Sequence, residues 1–254
     1  MINIDEFQYE KRVILFLDII GWKEIIGQNN SVSDLMAEII GYLVNHHYIY
    51  RTVSYKEKVI KKAEITGSKV NQLFLEVETA ICSDNIIIST PIYHEGRLIN
   101  KSGNIFRDLL ALGVLSRGAI TVGNLYHREN IVFGPAMNDV VELEKQAIYP
   151  RILCSDSLIE WYGKWKKGYK DKYLNNLVIT DCLGRKVVNP FIPLVIQNNK
   201  KLFGTVERKD GSIIDTIESI KSVIKKNINP ESSIDDSKKL EKWHYISSLM
   251  QSNL

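Results

Sequence analysis

Residues 13–22 read VILFLDIIGW, and this stretch decides the centre of the predicted fold. Five apolar residues in a row, ending at Leu17, are typical of a strand that is buried on both faces. Asp18 follows at the end of that strand, and Gly21 then interrupts the apolar pattern. We expect a helix to begin near Trp22. The sequence therefore predicts an acidic side chain at the point where a central strand passes into a helix.

A second aspartate lies in a predicted hairpin. Residues 72–82 and 85–90 both have strand character, and only Ser83 and Asp84 separate them, which is a spacing typical of paired strands. If this hairpin neighbours the first strand, the Asp18 and Asp84 carboxylates meet at one sheet edge. Paired carboxylates beside a backbone carbonyl suit Mg²⁺ or Mn²⁺ bound through nucleotide phosphates. Either aspartate alone is more typical of a helix cap or a turn.

The rest of the chain alternates between helical and strand patterns. Predicted helices cover 31–50, 104–115, 134–146, 158–165 and 211–226, with a last helix after Pro230, and predicted strands cover 119–122, 125–126, 151–154 and 177–180. The lysine-rich segment 55–69 is predicted to be an exposed extension or insertion. This alternation indicates an α+β fold, in which one mixed or antiparallel sheet is flanked by helices.

The character of the chain changes near Gly204. Beyond it, isoleucines and a valine recur along one face of the helix predicted over 211–226. We expect residues 1–203 to form the main domain and residues 204–254 to form a C-terminal helical extension. That extension is expected to dock on the sheet or on a partner subunit.

Composition limits the classes of function. The 254 residues carry 33 basic and 30 acidic side chains, and a net charge of +3 is too small to indicate a nucleic-acid partner. Three cysteines without metal-type spacing indicate a reducing compartment. The N-terminus lacks an apolar signal segment, and no apolar run is long enough to span a membrane. We therefore expect a cytoplasmic protein with no membrane or nucleic-acid partner.

Three segments together resemble the catalytic domain of class III adenylate and guanylate cyclases. They are LFLDIIGW at 15–22, ICSDN at 81–85 and RGAITVGNLYHRENIVFGPAMNDVVELEKQAIYPRIL at 117–153. In that family a strand ends in an aspartate, a second aspartate lies in a hairpin, and an Arg-x-Gly-Ile strand precedes a Gly-x-x-x-Asn helix. The same order of motifs spans roughly residues 10–160 here.

The resemblance implies a two-metal site between two subunits. Asp18 and Asp84 fall on the metal-binding aspartates, and the Ile19 carbonyl is implied as a further ligand of two Mn²⁺ or Mg²⁺ ions. Arg117 falls on the arginine that binds triphosphate oxygens, and Asn138 on the asparagine that orients the ribose from the opposite subunit. A head-to-tail homodimer with two equivalent sites is the implied assembly.

The backbone around Gly21 is a further candidate for nucleotide binding. It leads into the N-terminus of a helix, where free N–H groups attract phosphate oxygens. We therefore expect the amides of Ile19, Ile20, Gly21 and Trp22 to contribute to nucleotide binding.

Several positions depart from the family pattern. Ser83 and Ala119 replace glycines, and Glu142 stands where the family has its transition-state arginine, so another cation is required, for which Arg151 is a candidate. Ala80 and Ile131 fall on the positions that read adenine, and neither side chain can hydrogen-bond a base. The substitutions therefore point away from cyclic AMP.

The phrases RGAITVG, VFGPA and ELE-x-x-AIYPRI resemble most closely the Pycsar pyrimidine cyclases of bacterial anti-phage signalling. This resemblance implies conversion of UTP to cyclic UMP, or of CTP to cyclic CMP, with a separate effector that reads the product. Tyr48 and Tyr50 are candidates to pack on a pyrimidine, or are ordinary helix–sheet packing residues. A degenerate domain that senses a nucleotide without turning it over is the alternative that the Glu142 substitution favours.

Overall fold

The fold was analysed in a computed structural model of the 254-residue chain. The structure describes residues 7–26, 34–45, 53–67, 76–167, 176–192, 195–197, 200–202, 205–207, 213–229 and 237–253. These residues form an α+β structure, in which a mixed sheet is flanked by helices. The predicted fold class is therefore confirmed.

One large sheet organises the molecule. The strands are β1 (Glu10–Ile19), β2 (Glu78–Cys82), β3 (Asn85–Pro91), β4 (Ser116–Arg128), β5 (Ile131–Phe133), β6 (Ile152–Cys154), β7 (Val178–Thr180), β8 (Lys186–Val188), β9 (Val195–Gln197), β10 (Lys200–Leu202), β11 (Thr205–Glu207) and β12 (Ile213–Asp215). Eight strands share the sheet in the order β2-β3-β1-β4-β6-β8-β7, with β5 paired to β4. The β4–β6 pair is parallel, whereas every other described pair in this sheet is antiparallel.

The helices surround this sheet. They are α1 (Trp22–Ile26), α2 (Asp34–Asn45), α3 (Val53–Thr66), α4 (Glu95–Ala111), α5 (Pro135–Glu144), α6 (Asp156–Lys166), α7 (Thr216–Ile228) and α8 (Ser237–Gln251). Among the described residues, no helix combines the length and the apolar character that a membrane span requires.

The central strand β1 is buried on both faces, as its continuous apolar run predicts. Successive side chains of a strand point to opposite faces, so Val13 and Leu15 join the larger hydrophobic cluster whereas Ile14 and Phe16 join the smaller one. Helices α4, α7 and α8 contribute to the larger cluster, and α5 covers the smaller one. The strand that carries Asp18 next to its last residue is thus fixed from both sides.

Two elements are longer than the sequence predicts. The segments predicted as strands over 119–122 and 125–126 are parts of the single strand β4. Gly123 does not interrupt this strand but lets α5 approach closely, since a Cβ there would lie 3.1 Å from that of Ala136. Helix α4 begins at Glu95 rather than at residue 104. Gly103, which resembles a helix breaker, instead packs the helix against the backbone of Asn189.

The C-terminal helices α7 and α8 pack on earlier elements of the same chain. Asp215 caps α7 by accepting hydrogen bonds from the N–H groups of Ile217 and Glu218, so this helix begins at Thr216 rather than at residue 211. Ser219 donates a hydrogen bond of 2.7 Å to the carbonyl oxygen of Ala111, at the end of α4. Both α7 and α8 contribute to the larger hydrophobic cluster. The division of the chain near residue 204 stays a prediction.

Candidate active site

The backbone brings the two aspartates together. Asp18 lies opposite Asn85 of β3 and opposite Arg117 of β4, and the N–H of Ile19 donates a hydrogen bond of 3.0 Å to the carbonyl oxygen of Asp84. The β2–β3 turn that carries Asp84 contains Ser83 in the left-handed region, with φ of 58°. Glycine adopts this conformation most readily. Ser83 therefore occupies a turn position that favours glycine.

A cavity of about 350 Å³ opens over these aspartates. Its lining residues are Asp18, Ile19, Ile20, Gly21, Trp22, Lys23, Glu24, Asp84, Arg117, Ile148 and Lys242. Seven of the eight residues that the sequence singles out for nucleotide and metal binding are thus gathered at one place. Asn138 does not line this cavity.

Arg117 lies between two carboxylates. Its Nε donates a hydrogen bond of 3.0 Å to Oδ2 of Asp18, and Oε1 of Glu144 lies 2.8 Å from the same nitrogen. Because Nε carries one hydrogen and directs it to Asp18, the contact with Glu144 is an ion pair without hydrogen-bond geometry. The remaining N–H groups of Arg117 form no hydrogen bond with another described residue. They stay available for an anionic ligand.

Burial makes the carboxyl groups of Asp18 and Glu144 harder to ionise. Burial raises the pKa of Asp18; the hydrogen bond and positive charge of Arg117 oppose this shift, and the nearby Asp84 carboxylate adds to it. Burial likewise raises the pKa of Glu144, against the opposing charge of Arg117. Desolvation and like charges disfavour an ionised carboxyl. The site therefore concentrates negative charge that a cation would relieve.

The donor set fits a divalent ion that arrives with a nucleotide. No group of three or more histidine, cysteine, aspartate or glutamate side chains among the described residues has a metal-binding arrangement. Mg²⁺ is commonly held by one or two carboxylates plus the phosphates of its substrate. Asp18 and Asp84, which interact electrostatically within the cavity, supply those two carboxylates. The residues present therefore fit Mg²⁺ or Mn²⁺ as part of a nucleotide complex.

The loop after β1 has fewer free amides than the sequence suggests. The N–H of Ile19 bonds to Asp84, and the N–H of Ile20 donates to the carbonyl oxygen of Leu115 at 2.9 Å. The expectation that these two amides bind phosphate is therefore wrong for this conformation, because the sheet already uses them. The Trp22 side chain belongs to the hydrophobic core. Only the backbone amides of Gly21 and Trp22 remain as candidates from the predicted set.

Asn138 lies on the exposed surface of α5. The start of this helix packs near Gly123, which is opposite Arg12 in β1, whereas its end brings Glu144 to Arg117. Asn138 precedes Glu144 by six residues, or about 9 Å along the helix. Within one chain the structure thus separates Asn138 from the cavity, and its predicted contact with the ribose requires a second subunit.

The candidate role of Arg151 as the missing cation is wrong. Its side chain is 5% exposed and donates a hydrogen bond of 2.6 Å to the buried Asp181. The guanidinium also lies near the rings of Tyr149 and Tyr245. Arg151 does not line the cavity, and its charge is already neutralised.

The sequence does not predict the lining residues Lys23, Glu24, Ile148 and Lys242, nor Glu144, which pairs with Arg117. Glu144 follows Ala136 and Val140 at four-residue spacing on the buried face of α5. A charged residue on an otherwise apolar helix face is a sequence pattern that indicates a buried ion pair or a functional site. Lys242 reaches the cavity from α8, 89 residues after Leu153, where the last motif ends. No local pattern indicates where that helix docks.

Ala80 and Ile131, which by the resemblance occupy the adenine-reading positions, lie outside this cavity. Ala80 is buried among apolar residues of the smaller cluster, and Ile131 is exposed on β5. Neither lines the cavity. Tyr48 and Tyr50 lie outside the described residues.

Comparisons with known proteins give matches only among solved structures. No protein-family model and no curated protein matches the chain. The catalytic core of a rhodopsin-guanylyl cyclase in complex with ATPαS is 18% identical, with a TM-score of 0.41 over 61% of this chain and 82% of that chain. A monomeric guanylyl cyclase domain from the aquatic fungus Blastocladiella emersonii is 15% identical, with a TM-score of 0.43 over 72% and 96%. The adenylyl cyclase CyaB from P. aeruginosa is 14% identical, with a TM-score of 0.40 over 71% and 92%. The solved structures similar to this chain thus include domains of guanylyl and adenylyl cyclases.

Proposed function

We propose that this protein is a nucleotide cyclase that converts a nucleoside triphosphate to a 3′,5′-cyclic monophosphate and pyrophosphate. The observation that carries the proposal is the meeting of Asp18, Asp84 and Arg117 in one cavity. We assign these side chains as a metal-binding pair and a phosphate-binding cation, which are the roles that the resemblance implies for them.

The chain's own groups would mainly position charge. Asp18 and Asp84 would hold the metal–nucleotide complex, while the unbonded N–H groups of Arg117 would bind triphosphate oxygens. Divalent cations bound there would activate the ribose 3′-hydroxyl and neutralise the leaving pyrophosphate. In-line attack on the α-phosphorus needs little covalent chemistry from the protein. The carboxylates and cations of the site would therefore act by positioning the reacting groups and by neutralising charge.

We propose UTP as the preferred substrate, with CTP as the alternative. A polar purine-reading side chain is missing at Ala80 and Ile131, and the resemblance to Pycsar cyclases points to a pyrimidine. The product, cyclic UMP, would then act in the cytoplasm as a second messenger of anti-phage defence, read by a separate effector.

We propose further that two copies of the chain complete each site. The exposure of Asn138 and its distance from the cavity of its own chain favour this arrangement. In a closed two-fold dimer, each cavity would receive Asn138 from the partner.

A mixing experiment tests the shared site. Asp18→Ala and Asn138→Ala variants are each expected to be inactive or slow, but a mixed dimer retains one intact site. After subunit exchange, about a quarter of the wild-type activity should return. Mixing that restores nothing, although the subunits exchange, would contradict a site built from both chains.

A nucleotide sensor without turnover is the second candidate. It is favoured by Glu142, which is exposed and acidic where the family carries its transition-state arginine. It is also favoured by the pairing of Arg117 with Asp18 and Glu144, which reduces its free charge.

The metal site can be tested by neutral substitution. Asp18→Asn and Asp84→Asn should each abolish turnover and weaken Mn²⁺-dependent triphosphate binding, because each removes a ligand charge. Asp139→Asn is the matched control, since Asp139 is exposed on α5 outside the cavity. Calorimetry and product analysis should show it to be equal to wild type. Turnover that survives both site substitutions would remove the metal pair from the proposal.

A further inference from the structure

A lysine from the last helix faces the proposed active site. Lys242 of α8 lines the same cavity as Asp18, Asp84 and Arg117. Its side chain is partly buried and forms no ion pair or hydrogen bond with another described residue. Arg117, by contrast, is shared between Asp18 and Glu144. Lys242 therefore brings to the site a positive charge, and no described carboxylate neutralises it.

Side-chain contacts fix the position of α8 beside the cavity. Ile148 and Lys242 both line the cavity. Tyr149, which follows Ile148 in the chain, stacks on Tyr245 of α8, with ring centroids 5.0 Å apart and planes inclined by 17°. The Tyr245 hydroxyl donates a hydrogen bond of 2.7 Å to the buried Asp181. Because residues three apart share a helix face, Tyr245 fixes the face that carries Lys242.

The same network reaches the strand that carries Arg117. Arg151 bonds to Asp181 through its side chain, and its carbonyl oxygen accepts a hydrogen bond of 2.8 Å from the N–H of Gly118. Trp243, beside Lys242, is buried in the larger cluster. The backbone of Lys242 is thus anchored to the elements that build the cavity.

We propose that Lys242 binds phosphate oxygens of the nucleoside triphosphate and supplies positive charge that Glu142 cannot supply. The inference rests on the proposed function. Phosphoryl transfer depends on cations aimed at the charge that develops on phosphate oxygens. Lys242 reaches the cavity from its own chain, so the C-terminal extension forms part of the site.

Lysine substitutions in the full chain test this role. Lys242→Met should weaken the binding of inorganic triphosphate with Mn²⁺ about tenfold, which is the size expected for one charged hydrogen bond. It should lower kcat/KM for the nucleotide about 100-fold. Lys242→Arg keeps the charge and should retain most of both. Lys239→Met removes a charge one turn earlier on α8, outside the cavity, and is expected to match wild type.

The two readouts separate this inference from the proposed function. If wild type makes no cyclic nucleotide but Lys242→Met alone loses triphosphate affinity, the cyclase proposal fails and the phosphate role of Lys242 stands. If Lys242→Met binds triphosphate as wild type does, or if wild type binds none, the inference is overturned. Thermal unfolding of each variant verifies that the substitutions leave the fold unchanged.

Discussion

The hydroxyl of Tyr245 is predicted to anchor the C-terminal helix. Tyr245 is 5% exposed, and its hydroxyl donates to Oδ2 of Asp181, the same oxygen that accepts from Arg151. Burial and the Asp181 carboxylate raise the pKa of Tyr245, so the hydroxyl stays protonated and remains a donor. A hydrogen bond to a charged group contributes about 1.5–3 kcal/mol. Tyr245→Phe should lower the free energy of unfolding by that amount.

Denaturation measurements check this value. For a chain of this size, about 1.5–3 kcal/mol corresponds to a fall in Tm of roughly 3–6 °C. Tyr149→Phe is the matched control, because Tyr149 stacks on the same ring but its hydroxyl bonds to no other described residue. The control should stay within about 0.5 kcal/mol of wild type. Equal stability of the two variants would refute the anchoring role of the hydrogen bond.

Three further predictions concern packing, pH and thiol reactivity. Gly118→Ala should lower the free energy of unfolding by about 2 kcal/mol or more in urea titrations, because the new Cβ would lie 2.4 Å from the carbonyl oxygen of Phe16. Gly163→Ala, on a helix with open space around it, should not destabilise the protein. Burial opposes ionisation of Asp181, but hydrogen bonds outweigh it and lower the pKa of Asp181. The stability that the ionised carboxylate contributes is therefore present above about pH 4 and is lost as pH falls further. The difference in free energy of unfolding between wild type and Asp181→Asn should thus become smaller from pH 7 to pH 3. In native protein a thiol reagent should modify the two exposed cysteines, while Cys154, whose pKa is raised by burial, should react only after unfolding.

The centre of the fold could be predicted because its signals are local. The apolar run of β1 requires burial on both faces, and Val13 and Ile14 indeed enter opposite clusters. The short spacing around Asp84 permits only a tight hairpin, and the structure has one. Backbone pairing then brings Asp18 and Asp84 together, so most of the candidate site follows from two strand ends.

The remaining parts depend on contacts that no sequence spacing reveals. The sequence offers Arg151 as a replacement for the arginine that is absent at Glu142. Its guanidinium instead donates a hydrogen bond to the buried Asp181, thirty residues later in the chain. Lys242 reaches the cavity because α8 docks through Tyr245, which is a tertiary contact. The amide of Ile20 is used by Leu115, beyond the motif that contains it. Contacts between residues far apart in the sequence therefore determine which charged side chains and N–H donors remain available to a ligand.

Turnover of the four nucleoside triphosphates tests the central claim most directly. The purified protein would be incubated with Mn²⁺ and ATP, GTP, CTP or UTP separately, with Asp18→Ala as the control, and products would be resolved by chromatography and mass. Cyclic UMP from wild type, and none from Asp18→Ala, is the predicted result. The absence of a cyclic product from all four nucleotides, although triphosphate binds, would contradict the cyclase proposal and favour a nucleotide sensor.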